Sequence, residues 1–152
     1  MKIAIASDHG GVQMKAELVE LLEQLGYECE DYGTYNCDSV DYPDYAEIVA
    51  NKVAGNEADR GILICGTGIG MSIAANKVNG IRCALVSDVY SAQATRLHND
   101  TNVLALGARV IGIELAKMIT QTWLETDFEG DRHVARLAKI TQIEQKNCKG
   151  EA

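Results

Sequence analysis

Gly61-Ile62-Leu63-Ile64-Cys65-Gly66-Thr67-Gly68-Ile69-Gly70-Met71 joins an apolar run to a loop in which every second residue is glycine. Gly61 to Ile64 has the character of a strand covered on both faces, and Met71 to Lys77 reads as the first turns of a helix. Glycines at 66, 68 and 70 allow φ > 0 and let an anion approach backbone N–H groups without meeting a Cβ. The loop reads as an anion cradle with a thiol, Cys65, at its mouth.

Toward the amino terminus, Ile3 to Ala6 is a short apolar run that ends in Ser7-Asp8-His9-Gly10-Gly11. Leu18, Leu21, Leu22 and Leu25 fall on one stripe of a helix, with Glu17, Glu20, Glu23 and Gln24 on the wet side and Gly26 as its stop. Tyr27 to Tyr32 alternates apolar and charged residues as an edge strand does, and Gly33 to Ser39 is turn chemistry. In Asp41-Tyr42-Pro43-Asp44-Tyr45 the proline stands where a helix begins, and Ala46 to Ala54 reads as that helix.

Toward the carboxyl terminus, Ile81 to Val86 predicts a fourth strand ending in Ser87-Asp88, and Tyr90 to Leu97 a helix. The polar cluster His98-Asn99-Asp100-Thr101-Asn102 leads into a fifth strand, Val103 to Leu106, closed by Gly107-Ala108-Arg109. Leu115, Met118, Ile119 and Thr122 predict the next helical stripe, with Trp123 beside it. A last helix, Asp131 to Lys146, puts Arg132 and Arg136 four residues apart on one face.

This alternation predicts an α/β fold: a doubly wound, Rossmann-like, five-stranded parallel sheet in a three-layer α/β/α sandwich, forming a single domain. Such sheets bind ligands beyond the carboxyl ends of their strands, where strand order reverses. Asp8, His9, Cys65 to Gly70, Asp88, His98, Asn99 and Arg109 are all expected at carboxyl ends.

The 152 residues, 47% of them hydrophobic, suit one compact domain with its own core. A net charge of −8 argues against nucleic-acid or acidic-membrane partners, because no basic run exists to release counterions from phosphates. A small phosphorylated ligand would need a local group of cations. Five cysteines without a C-x-x-C pair make no disulfide framework, and with three histidines they fit no zinc pattern. Free thiols in a reducing cytoplasm are expected. Met1-Lys2 leads straight into an apolar strand with no secretory leader, and nowhere do about 18 apolar residues run together, so a soluble protein without a membrane partner is expected.

The spelling of the loop narrows its chemistry. A P-loop needs Lys-Ser/Thr after its last glycine, whereas Gly66 is followed by Thr67 and Gly68; a phosphotyrosine phosphatase needs Arg six residues after its cysteine, where this chain has Met71. A dinucleotide fingerprint is G-x-G-x-x-G, and Gly66 to Gly70 is G-x-G-x-G, although Asp88 lies at the right distance to bind a ribose. Strand-end cysteines are usually small buried hydrophobes, but a thiol just before a helix N-terminus lies in the positive end of the dipole, which favours its thiolate. Cys29, Cys37, Cys83 and Cys148 lack that setting and are expected to be inert. His9 and His98, each among polar residues at an element's end, are functional candidates; His133, on a charged helix, is expected to be solvated. Arg132 and Arg136 are the local cations a phosphate would require. Tyr42 belongs to a capping segment at the rim of a pocket.

Ser7 to Gly11, Asp41 to Ala46, Cys65 to Gly70, Tyr90-Ser91-Ala92-Gln93 and His98 to Asn102, five motifs in order, closely resemble the ribose-5-phosphate isomerase type B family, which also contains the galactose-6-phosphate isomerase subunits. The resemblance runs from Met1 to about Lys146, and His98-Asn99-Asp100 is closer to the ribose branch. It implies an aldose–ketose isomerase of the pentose phosphate pathway that interconverts ribose 5-phosphate and ribulose 5-phosphate through an enediolate, without metal or organic cofactor. By resemblance Cys65 takes the proton from carbon 2, the N–H groups of Gly66, Thr67, Gly68, Ile69 and Gly70 bind the oxyanion, and Thr67 relays a proton between substrate oxygens. His98 resembles the residue that protonates the ring oxygen, with Asp8 and Asn99 orienting hydroxyls; His9, Arg109, Arg132 and Arg136 match phosphate-binding positions. The family implies a homodimer, or a tetramer, with sites at the subunit interface and the last helix in dimer packing. The alternatives are an isomerase of a six-carbon sugar phosphate such as allose 6-phosphate or galactose 6-phosphate, and a nucleotide-binding module resting on Asp88.

Overall fold

Strands and helices alternate in the computed structural model, which describes residues 1–147, in the order β1 (Lys2–Ser7), α1 (Val12–Gln24), β2 (Glu28–Asp31), α2 (Tyr42–Ala54), β3 (Arg60–Cys65), α3 (Ile69–Ala75), β4 (Cys83–Leu85), α4 (Val89–Asn99), β5 (Val103–Gly107), α5 (Ile113–Glu125) and α6 (Arg132–Asn147). Cys148 lies outside the described residues. The five strands form one sheet in the order β2-β1-β3-β5-β4, and every pair is parallel. This is the doubly wound α/β fold that the alternation predicted.

Period-two side-chain direction builds the two faces. Ile3, Ile5, Ile62, Ile64, Leu104 and Leu106 meet Leu18 and Leu22 of α1 and Ile119 and Trp123 of α5 on one side. Ala4, Ala6, Leu63, Cys65 and Val103 meet Val49 and Val53 of α2 and Met71 of α3 on the other. With both faces covered, the central strands must be apolar throughout, as Ile62-Leu63-Ile64 is. The chain places β2 on one side of β1 and β3 on the other, so the reversal of winding falls between β1 and β3. A crevice outside their carboxyl ends follows from the topology. It is flanked by Asp8, which follows β1, and Cys65, which ends β3.

The end of α1 is a Schellman turn: Gly26, at φ 79°, donates to the Glu23 carbonyl at 3.0 Å and Tyr27 to that of Leu22 at 3.0 Å. Beyond α3, which opens at Ile69 where Met71 was expected, three elements depart from the sequence-based reading. First, α2 starts at Tyr42 rather than Ala46, because Pro43 is tolerated in a first turn whose N–H groups need no helical partner. Second, β4 pairs only over Cys83–Leu85, since the Arg82 and Cys83 N–H groups are taken by the side chains of Asn102 and Asn76 at 2.8 Å each. Third, α5 is turned from the expected stripe: Ala116, Ile119, Thr120, Trp123 and Leu124 are buried, whereas Met118 is 58% exposed. Trp123, the largest fully buried side chain, sets that rotation, because its indole N–H donates to Thr101 Oγ1 at 2.9 Å from inside the core. Among the described residues, no helix is long and apolar enough to cross a membrane.

Candidate active site

Three loops leave the carboxyl ends of β1, β3 and β5 and are laced together by their main chains. Asp8 N–H donates to the Ile64 carbonyl at 3.0 Å, Ala108 N–H to that of Cys65 at 2.9 Å and Arg109 N–H to that of Gly66 at 2.9 Å. Cys65 is only 5% exposed, and its Sγ accepts the Gly68 N–H at 3.0 Å. A negatively charged sulfur here would have a fixed donor already in place. Gly68 has φ 76° and is the N-cap of α3, which is only seven residues long. The direct N–H, rather than the dipole of so short a helix, is therefore the main electrostatic partner of the thiol.

Asp8, 8% exposed, takes the Gly10 N–H on Oδ1 at 2.8 Å, which commits one carboxylate oxygen to the backbone and fixes the side chain. His9 Nδ1 accepts the Val40 N–H at 3.3 Å, so the ring's proton sits on Nε2, a donor. Thr67 Oγ1 accepts the Ile69 N–H at 3.3 Å. Arg109 lies along the loop: a Cβ on Gly66 would stand 3.5 Å from its Cδ and Nε. Tyr42 lies over the last glycine of the motif, in the first turn of α3, since a Cβ on Gly70 would come within 2.7 Å of its ring carbons. A small cavity of about 210 Å³ adjoins the loop, lined by Thr67, Ile69, Leu85 and Val110 among others. Asp88 is a helix cap: its Oδ1 accepts the Ser91 N–H at 2.7 Å, and hydrogen bonds with Ser91 hold its carboxyl below the usual range. That employment removes the main support for a ribose-binding role.

His98 and Asn99 do not lie with these residues. They end α4, which runs back across the sheet for 11 residues, about 16 Å, to the amino end of β5. Their expected place at a carboxyl end is corrected by this return path: the cluster precedes β5 rather than following β4. Here the His98 ring stacks on that of His133, with centroids 4.6 Å apart and planes at 17°. Glu129 Oε2 lies 3.4 Å from His133 Nε2 and 3.9 Å from His98 Nε2, and an Arg136 terminal nitrogen lies 3.3 Å from His133 Nδ1. Asn99 offers its carbonyl to Arg82 Nε at 3.0 Å, and Arg132 opens α6 beside His133. The solvated His133 expected from its charged helix is instead 4% exposed, buried by the stacked His98 ring.

Burial, with His98 and Arg132 as nearby positive or protonatable neighbours, holds His133 below the ordinary imidazole range against the opposing pull of Glu129. A depressed histidine adds nothing while both folded and unfolded forms are neutral. Below about pH 6.5 the unfolded chain takes up the proton first and stability is lost. The melting temperature should therefore fall as the pH drops below about 6.5, and His133→Gln should flatten that fall; equal slopes in thermal melts of the two proteins would contradict this.

The chain thus carries two groups of polar side chains. Asp8, His9, Cys65, Thr67 and Arg109, with the glycine loop, occupy the carboxyl edge; His98, Asn99, Arg132 and Arg136 occupy the amino edge. Val40 and Glu129 were missed by sequence reasoning. Val40 acts through its main chain and leaves no trace in residue type. Glu129 is one of many acids, and only its spacing of four before His133 hinted at a partnership.

Fold and site define the class: an α/β enzyme with ionisable groups ranged along the switch point of a parallel sheet. The model of the ribose/galactose isomerase family matches residues 3–140. Ribose-5-phosphate isomerase B of Escherichia coli is 56% identical over 95% of this chain and 97% of its own. The Clostridium thermocellum ribose-5-phosphate isomerase B structure is 54% identical, with a TM-score of 0.95 over 97% of this chain and 99% of that one. A Mycoplasma genitalium ribose-5-phosphate isomerase B structure with bound ribulose-5-phosphate is 42% identical, with a TM-score of 0.92 over 95% and 96% of the two chains. The chain belongs to the ribose/galactose isomerase family.

Proposed function

We propose that the protein interconverts D-ribose 5-phosphate and D-ribulose 5-phosphate, the isomerisation step of the pentose phosphate pathway, in the cytoplasm. The observation that carries the reading is Cys65 at the switch point, with its sulfur held by the Gly68 N–H, beside a carboxylate fixed by its own turn. Isomerisation moves a proton from carbon 2 to carbon 1 and a hydroxyl proton from O2 to O1. Cys65 takes the carbon proton and returns it one carbon away; Thr67 relays the oxygen proton; the N–H groups of Gly66 to Gly70 hold the enediolate oxygens. Asp8 orients a sugar hydroxyl with its other oxygen. His9 donates Nε2–H to the phosphate, with Arg109 at hand. No metal or organic cofactor takes part.

The two edges are brought together by a second copy of the chain. His98, which opens the sugar ring, Asn99, and the phosphate-binding Arg132 and Arg136 lie too far along the sheet to reach the Cys65 loop of their own chain, because β5 alone spans about 13 Å between Val103 and Gly107. In the homodimer they complete the partner's site. The last helix supports this pairing: Val134, Ile140 and Ile143 are 55%, 48% and 61% exposed, an apolar set that a partner would cover.

The test is to offer purified protein ribose 5-phosphate, allose 6-phosphate and galactose 6-phosphate and follow ketose formation from each. Turnover of ribose 5-phosphate alone, or with a far higher kcat/KM than the others, is expected; preference for a six-carbon substrate would overturn the assignment. Arg136→Ala should raise KM about tenfold or more, the loss of a charged hydrogen bond to phosphate, with a smaller effect on kcat. An unchanged KM would remove Arg136 from the site.

A further inference from the structure

The amino-edge cluster contains more than the proposed reaction has used. His98, Glu129 and His133 bring three metal-ligating atoms within 4.8 Å of one another. Three features nevertheless make this a poor cation site. The imidazole planes are nearly parallel, at 17°, so their lone pairs run side by side instead of converging on one point. A guanidinium can only donate, so the Arg136 contact at 3.3 Å makes His133 Nδ1 the acceptor and puts the ring's proton on Nε2, where it blocks coordination. Arg132 and Arg136 also add positive charge beside the cluster.

The same constraints define a directed chain of polar contacts. Arg136 fixes the His133 tautomer, and the resulting Nε2–H, buried and without an aligned hydrogen-bond partner among the described residues, faces Glu129 Oε2 at 3.4 Å. A buried donor left unpaired is costly, so it draws the carboxylate toward it. The same oxygen stands 3.9 Å from His98 Nε2. Stacking on the buried His133 ring sets the plane of His98, and the negative charge of Glu129, too distant for a hydrogen bond, favours the rotation within that plane that turns Nε2 toward it. The opposite ring nitrogen, Nδ1, then points away from the carboxylate.

We infer that Glu129 and His133 are positioning residues for His98: the stack and the shared carboxylate oxygen hold its imidazole with Nδ1 presented to the sugar ring oxygen. This rests on the reading of His98 as the ring-opening acid. The arrangement repeats the logic of a carboxylate that orients a catalytic imidazole, with the added histidine serving as both platform and anchor. The groups against His98 are Glu129, from the segment before α6, and His133 of α6, with Arg132 and Arg136 acting on His133 behind it.

Chemistry separates this role from a merely structural one. Ribose 5-phosphate is a closed furanose that must be opened. Ribulose 5-phosphate cannot form that ring, because its carbon 5 oxygen carries the phosphate. Exchange of the carbon 1 hydrogen of ribulose 5-phosphate with solvent deuterium therefore needs Cys65 but no ring-opening group. Glu129→Gln should lower kcat from ribose 5-phosphate about tenfold to a hundredfold, the cost of a misdirected acid, while carbon 1 exchange in ribulose 5-phosphate stays within about twofold of wild type. Glu129 is partly exposed, so this variant should fold; His133→Asn, checked by circular dichroism, should show the same split. Equal loss of turnover and exchange would assign both residues a structural role and overturn the inference. Unchanged ribose 5-phosphate turnover in Glu129→Gln, where His98→Ala has lost it, would overturn the inference and leave ring opening by His98 standing. Unimpaired His98→Ala would overturn both.

Discussion

Cys65→Ala should lose nearly all isomerisation, a fall of about 10²–10⁴-fold, and should no longer exchange solvent deuterium into carbon 2 of ribose 5-phosphate at a measurable rate. Substrate should still bind, because the phosphate and hydroxyl contacts are proposed for other side chains. The size of the effect follows from the site's design. The candidate for proton abstraction beside the glycine loop is a sulfur whose hydrogen-bond donor is already fixed, by Gly68 at 3.0 Å. The substitution removes little volume from a residue at the end of a strand paired with β5, so the fold should persist. A Cys65→Ala variant that still exchanges deuterium at carbon 2 would show that another group is the base.

Gly68→Ala should be nearly as damaging to catalysis and also costly to the fold. Its φ of 76° is left-handed, where an L side chain is strained by about 1–2 kcal/mol. A Cβ there would also lie 2.9 Å and 3.0 Å from the Leu106 carbonyl carbon and oxygen, and 2.5 Å from Leu85 Cδ1. Leu85 is a flexible tip that can swing aside, but Leu106 is main chain of a central strand and cannot. The loop must move instead, and the N–H that Gly68 gives Cys65 moves with it. Losing one such preorganised donor costs about 10²–10³ in kcat. We expect that drop together with a loss of about 1–3 kcal/mol of stability. A variant with wild-type kcat and melting temperature would mean that the loop's backbone geometry is not what the reaction uses.

The sheet and most of the carboxyl-edge site were legible in the chain because both depend on local pattern. Ile62-Leu63-Ile64 could only be a strand buried on both faces, and the glycines at 66, 68 and 70 announced a loop in which backbone meets a ligand. Leu18 and Leu22 gave the α1 face because leucine repeats at helical spacing leave one solution. In α5, by contrast, Met118 and Leu115 competed with Trp123, and the phase was decided by a hydrogen bond from the indole to Thr101, a residue 22 positions away. No window of sequence contains that partner.

The amino-edge cluster proposed to complete the site was legible in residue type but not in place. His98 and Asn99 stand out as functional candidates, yet a strand-end motif and a helix-end motif look alike until the direction of α4 across the sheet is known. Once that direction is fixed, the two edges cannot meet within one chain. His133 departs from its sequence reading for a related reason: a histidine among charged residues on a helix looks solvated, and its burial comes from a ring on another helix.

The claim that one site needs both edges from two chains can be tested by mixing two inactive variants, Cys65→Ala and His98→Ala, under conditions that allow subunits to exchange, and measuring ribose 5-phosphate turnover. In a two-fold dimer, each mixed pair holds one site in which both contributing residues are wild type, so the account predicts recovery of about a quarter of wild-type activity at equal amounts. No recovery after demonstrated exchange would place Cys65 and His98 in the same chain's site and contradict it.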